Sequence, residues 1–220
     1  MLEWINSIDA LNCTLTLADS IKSLGITLDS KLTMKDHIKN SAKSAFYKLK
    51  LLNKIKPYLP QKDLKSATQA LVLSRLDYGN ATLTGTTKSQ LAPIRTTLNA
   101  AARMVTGIKK YDHISPALKE LKWLPIEARC SFRTACLTHK ALHTGKPTYL
   151  ASKLKRAGQT RNLRSSNTLL LIPPKARKQK TLACSFSSNA PKIWNSIPIH
   201  IRSNPSFPCF KRQLKDLLLN

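Results

Sequence analysis

The chain has 220 residues, 42% of them hydrophobic, with 37 Lys and Arg against 11 Asp and Glu, a formal charge of +26. That apolar content suffices for a core and excludes wholesale disorder, and the length suits one large or two small domains. Charge of this size and sign selects a polyanion as partner, while aromatics at 6% are too sparse for a binder that stacks base after base.

The excess is uneven. From Arg129 onward 18 basic residues stand against one acid, Asp216, whereas the first 21 residues hold Glu3, Asp9 and Asp19 and no base. The cysteines Cys13, Cys130, Cys136, Cys184 and Cys209 are odd in number and lack a C-x-x-C, which indicates neither a disulfide framework nor a zinc ribbon and points to a reducing compartment. No secretory or transit pattern opens the chain and no apolar run reaches the ~18 residues of a membrane span, so a soluble intracellular protein is expected, with no membrane partner.

Residues 15 to 28 read as two short strands with turn residues Asp19, Ser20 and Gly25. Thr33 and Asp36 form a T-x-x-D cap, and Ile38, Ala42, Ala45, Leu49 and Leu52 predict an amphipathic helix that stops at Pro57. At roughly 100° per residue, Lys39, Lys43, Lys50 and Lys54 fall within a ~60° stripe on its other side. An ordinary solvated lysine face is the plain alternative to a phosphate-tracking one, but no Glu stands at i±4 to pair these lysines.

A second helix is predicted from Gln61 to Asp77, ending before Gly79. A third opens with the Thr87/Gln90 capping box, is kinked by Pro93 and closes near Gly107. Ser115 with Pro116 at the first helical position opens a fourth, and Pro125 opens a fifth that reaches His143 before a C-cap at Gly145. Residues 151 to 167 and 173 to 180 are basic and polar and bracket a strand at Leu169 to Ile172. A last amphipathic helix follows Ser206 and Phe207, with Phe210, Leu214, Leu217 and Leu218 on one side. The fold class is therefore mainly α: a helical bundle with a short β entry and a smaller basic α+β C-terminal region.

Two-metal polymerase or nuclease chemistry needs neighbouring carboxylates, and the chain has no D-D, D-x-D or E-x-D. Glycine-rich phosphate loops are missing too. Cys136, His139 and His143, at i, i+3 and i+7, form the best metal-like spacing, yet no fourth ligand is evident, and packing or RNA-facing roles are the plainer reading. The same residues as a Cys-His nucleophile pair would lack an orienting third group. The KARKQK run from Lys175 to Lys180 suits a nuclear-import signal, a phosphate-contacting loop or an ordinary exposed basic loop. Trp123 and Trp194 sit at element ends, where tryptophans anchor cores.

Several quoted segments together resemble a known family. SLGITLDSKLTMKDHI from Ser23, SRLDYGNATLTG from Ser74, NAAARMVTG from Asn99 and KYDHISPALKELKWLPIEAR from Lys110 look like the region downstream of the active site in LINE-type (non-LTR) retrotransposon reverse transcriptases. APKIWNSIPIHIR from Ala190 and FKRQLKDLLLN from Phe210 resemble the C-terminal end of jockey-like and related elements, in the same order, so the similarity runs from about Leu15 onward. The resemblance implies palm and primer-grip strands in residues 1–32, thumb-like helices in 33–145 and a basic nucleic-acid-binding region in 146–220. It places the paired palm aspartates, fingers and endonuclease upstream of Met1, with magnesium expected only in that palm and no cofactor in this fragment. Gly79 stands where such proteins often have Cys, and Pro93 where a helix-compatible residue is usual, so a distorted third helix is expected.

Both lines of reading lead to binding without catalysis. RNA, RNA-DNA hybrid or DNA would be held through phosphates by Lys39, Lys43, Lys50 and Lys54, by Arg95 and Arg103 on the third helix, and by Arg161, Arg164, Lys175, Arg177 and Lys178 in the tail. The other readings are a polymerase completed in trans by palm and fingers on another chain, a stand-alone basic DNA- or RNA-binding protein, and a translated element relic. Without a palm, apolar surface on the first strands and helix would be exposed and favour aggregation.

Overall fold

The computed structural model of the chain describes residues 7–10, 13–16, 18–157, 169–174 and 185–219. It is mainly helical, with short antiparallel β pairs. The β entry is two hairpins rather than one: β1 (Ser7–Ala10) pairs with β2 (Cys13–Thr16), and β3 (Ser20–Ser23) pairs with β4 (Ile26–Asp29). Ser20 opens β3 instead of turning, and the turn falls at Leu24 and Gly25, whose φ values of 47° and 81° are the two positive angles of a primed hairpin turn.

Helix α1 (Lys35–Ile55) buries Ile38, Ala42, Ala45, Leu49 and Leu52, the face its spacing predicts. Its start is not the expected Thr33 cap. Met34 takes the cap position in a left-handed conformation (φ 60°), and the Asp29 carboxylate at the end of β4 accepts from Thr33 N (2.8 Å), Thr33 Oγ1 (3.1 Å) and Met34 N (2.7 Å). Partial burial works to raise the Asp29 carboxyl, but the donors of Thr33, Met34 and Lys31 outweigh it and hold it below its ordinary value. The two oxygens of the carboxylate serve both N–H groups and the Thr33 hydroxyl at once.

After a 3₁₀ turn at Lys56–Tyr58, helix α2 (Gln61–Thr68) continues through a π-helical stretch, Gln69–Leu73, into α3 (Ser74–Asp77), so the predicted span is helical throughout. Gly79 (φ 66°) then turns the chain into a 3₁₀ segment, Asn80–Leu83. Helix α4 (Ala92–Thr106) ends at Gly107 as expected but starts later. Thr87 N donates to Gln90 Oε1 (3.2 Å) and Gln90 N to Thr87 Oγ1 (3.3 Å), so the capping box exists but closes the turn before the helix. Pro93 lies in the first turn of α4, where no intrahelical N–H is needed, and does not kink it. Helix α5 (Ile114–Leu121) begins two residues ahead of Pro116, and α6 (Ile126–Thr144) runs from Pro125 to its left-handed cap at Gly145 as predicted.

Beyond α6 come α7 (Thr148–Ala151) and the antiparallel pair β5 (Lys155–Arg156) and β6 (Leu171–Ile172). They are followed by α8 (Phe186–Ser196), α9 (Ile199–Arg202) and α10 (Phe207–Leu219). Asn195 imitates a backbone strand, accepting from Leu171 N (2.9 Å) and donating to Leu171 O (2.8 Å), while Trp194 Nε1 donates to Leu169 O (2.8 Å). These bonds fix β6 to α8.

Two apolar clusters result. One joins α1, the α2–α3 segment, α4 and α5 with Trp123, Ile126 and Cys130. The other joins Leu124, Phe132, Ala135 and Cys136 with Leu171, Trp194, Ile197, Ile201, Phe210 and Leu214. Helix α6 belongs to both, so residues 33–145 supply side chains to each. Polar bonds reinforce it: Arg129 Nη1 reaches both Asp77 oxygens (2.7 and 2.6 Å), Arg95 pairs with Glu127, and Thr84 Oγ1 meets Thr134 Oγ1 at 2.7 Å.

Removing the Asp77 carboxylate leaves the largely buried Arg129 unpaired. Asp77→Ala is expected to lower the free energy of unfolding by about 2–3 kcal/mol, seen as a lower urea midpoint. A Cβ at Gly79 would lie 2.9 Å from Ile26 Cδ1 in a left-handed backbone, so Gly79→Ala is expected to cost about 1–2 kcal/mol in the same assay.

Candidate nucleic-acid interface

Lys39, Lys43, Lys50 and Lys54 are all exposed on α1, and none makes an ion pair among the described residues. Their row is about 22 Å long at the helical rise of about 1.5 Å per residue. Lys50 lies over the Phe46 ring at 5.5 Å, which partly orders one ammonium without neutralising it. Beside the row, Tyr47, Leu51 and Ile55 recur at i, i+4 and i+8 and are likewise exposed, so the outer face of α1 is both cationic and apolar.

Rotating further around α1 leads to a groove of about 610 Å³ between the helix, the β3–β4 hairpin and the α2–α3 segment. Lys22, Lys48 and Arg75 line it together with Ser41 and Ser44, and no carboxylate does. The hairpin is held over this groove by Tyr78, whose hydroxyl donates to Leu24 O. His37 also lines it, is buried, and its Nε2 has no partner among the described residues. The positive sign and free hydroxyls of this groove suit an anion. Sequence periodicity missed Lys22 and Arg75 because they join Lys48 only through tertiary packing, which leaves no signal in the sequence.

The two predicted α4 arginines are placed differently. Arg95 is engaged with Glu127 and with Lys88 O (3.2 Å), linking α4 to α6. Arg103 donates to Lys109 O (3.3 Å) and Asp112 O (3.0 Å), closing the loop after Gly107. Both guanidinium groups spend donors on the fold. Arg161, Arg164, Lys175, Arg177 and Lys178, with the rest of the Lys175–Lys180 run, lie outside the described residues. Arg202, which sequence reading did not single out, is buried, and its Nε and Nη1 lack acceptors among the described residues.

Cys136, His139 and His143 do share a face of α6, but that face meets the second core. His139 stacks on His143 and on Phe210, each at 4.2 Å between ring centroids, and its Nε2 lies 2.9 Å from Asn204 O. Burial pushes the Cys136 thiol up to about 11 and the Cys130 thiol up to about 12, which leaves neither as a nucleophilic thiolate. No group of three or more His, Cys, Asp or Glu among the described residues is placed to hold a metal ion, and no described helix is long and apolar enough to cross a membrane.

No protein family, characterised protein or solved structure matches the chain.

Three histidines are held below their ordinary proton affinity. Burial is the main cause at His37, opposed by the Tyr78 backbone. It also leads at His139, opposed by Asn204 O and aided by His143, and at His143, where Arg156 adds to it. Each therefore holds its proton less tightly when folded than when unfolded, where an imidazole titrates near pH ~6.5. Their contribution to stability is complete above that value and is lost as pH falls below it. The urea midpoint is expected to drop between about pH 7.5 and 5.5, and His139→Phe to remove part of that drop without abolishing folding.

Proposed function

We propose that the chain is a nucleic-acid-binding, noncatalytic part of a LINE-type retrotransposon reverse transcriptase, in which a thumb-like helical bundle holds RNA, RNA-DNA hybrid or DNA through its phosphates. The observation that carries this reading is the exposed lysine row of α1, which no acid among the described residues neutralises. Its span of about 22 Å lets the four lysines reach several phosphates along a nucleic-acid backbone. Lysines on a helix contact such a backbone as mobile point charges without reading bases, so affinity rather than sequence preference is the expected product.

The resemblance of the quoted segments to the region after the polymerase active site supports the assignment to reverse transcriptases. The scattering of all 11 acids supports the noncatalytic reading, because no two stand close enough in sequence to form a two-metal turn. In this account the palm and fingers of a parent polyprotein are the protein partner, magnesium belongs to that palm, and the work is done in the nucleus. The groove under the β3–β4 hairpin extends the cationic surface from the lysine row toward the core side of α1.

Binding of a fluorescent RNA-DNA hybrid and of matched duplex DNA, each across a salt series, tests the reading. Replacing Lys39, Lys43, Lys50 and Lys54 by Gln is expected to weaken both at least tenfold near 0.1 M salt and to reduce the salt slope by about 0.9 for each lost phosphate contact. The hybrid is expected to bind the tighter of the two. Unchanged affinity and slope would overturn the role of the row, and primer extension by the purified chain with magnesium and dNTPs would overturn the noncatalytic assignment.

A further inference from the structure

A second cationic site lies where the two cores meet. The cleft there, about 580 Å³, is bounded by the α2–α3 segment, the Lys122–Leu124 connection, α6 and α10, a size ordinary for a small-molecule site. Lys122, Arg129, Arg133, Lys211 and Lys215 converge on it from three separate stretches of chain. One carboxylate, Asp77, lines the cleft, and it is already committed to Arg129 (2.6 and 2.7 Å) and Asn80 Nδ2 (3.1 Å). The other four cations have no ion pair among the described residues.

Trp123 supplies the second observation. Its side chain lines the cleft at 2% exposure and its Nε1–H has no acceptor among the described residues, whereas Trp194, equally buried, gives its N–H to Leu169 O. A buried donor left without an acceptor is costly, and it makes the indole signal a sensitive reporter of change in the cleft wall. The like charges are also unfavourable to one another: burial first, then Arg129, Lys122 and Lys65, push the Lys215 ammonium down, with Asp216 opposing. An anion would relieve this repulsion.

We propose that this cleft is a binding site for a phosphate group, held by Arg133, Lys211, Lys215 and Lys122 beside the Trp123 indole. The site is independent of the α1 row. Several cations around one cleft favour a multiply charged ligand, and the same chemistry is offered by a free polyphosphate and by successive phosphates of a nucleic-acid strand.

The full chain, labelled with ¹⁵N, tests this through its indole N–H signals, with Trp123→Phe identifying the Trp123 resonance. Titration with tripolyphosphate at constant ionic strength is expected to displace that signal saturably while the Trp194 signal stays in place. Arg133→Gln with Lys211→Gln and Lys215→Gln is expected to weaken the titration at least tenfold. The single Arg133→Gln, at an exposed position, should weaken it severalfold and serves if the triple variant does not fold. A parallel titration with a thymidine trinucleotide separates the sources, since tighter binding of the trinucleotide assigns the site to a nucleic-acid strand and tighter binding of tripolyphosphate assigns it to a free polyphosphate. No displacement by either, displacement matched by sodium chloride, or equal binding by the variants would overturn the proposal. The α1 quadruple Gln variant distinguishes this site from the lysine row: the Trp123 response should persist when hybrid binding is lost.

Discussion

Helix α6 has to satisfy two cores at once, and the rest of the structure depends on that constraint. Its first turns give Ile126 and Cys130 to the α1–α5 cluster, and its later turns give Phe132, Ala135 and Cys136 to the cluster built by α8 and α10. A helix packed on several sides is held by internal polar bonds as well as by apolar contacts: Arg129 to Asp77, Glu127 to Arg95, Thr134 to Thr84, and His139 to Asn204. Each joins α6 to a different part of the chain. The cleft lined by Trp123 and Lys215 lies beside the seam between the cores, because the chain must pass from one cluster to the other there.

The few acids are deployed in a way that shapes the surface. Asp29 ties the end of β4 to the start of α1, Asp77 and Glu127 anchor arginines against α6, and Asp112 accepts from Lys109 N at 3.0 Å. The arginines with described bonds are largely structural too, since Arg103 closes a loop and Arg156 donates to Leu142 O at 3.0 Å. A planar guanidinium with several directed donors suits such fixed contacts, whereas a lysine ammonium on a flexible stem suits a moving, irregular polyanion. Four carboxylates are committed to arginines and backbone, and among the described residues none pairs with the α1 lysines. Among the described residues the unpaired positive charge is thus carried mainly by lysine.

Local patterns were legible where one element supplies the whole signal. The core face of α1, the continuous helical span from Gln61 to Asp77, and α6 with its Gly145 cap all follow from 3.6-residue spacing and terminal residues within a single stretch. The start of α1 was not legible, because its capping carboxylate comes from Asp29 on the preceding strand and not from a residue in the cap itself. Helix α8 was missed for a different reason: Pro191 interrupts its pattern, and its place is secured by Trp194 and Asn195 bonding to Leu169 and Leu171, which no local propensity encodes.

The same distinction governs the candidate sites. The lysine row is visible in sequence because four residues on one helix define it, and Cys136, His139 and His143 were visible as a shared face for the same reason. Spacing identifies a face but not its neighbour. For α1 the neighbour is solvent, so the row stays available to a ligand; for α6 it is Phe210 and Trp194, so the histidine face becomes an aromatic stack with raised thiols beside it. The groove at Lys48 and the cleft at Lys215 reverse this situation, since each is assembled from segments far apart in the chain and has no periodic trace. A basic composition therefore does not reveal where its cations gather, and only packing decides which of them converge.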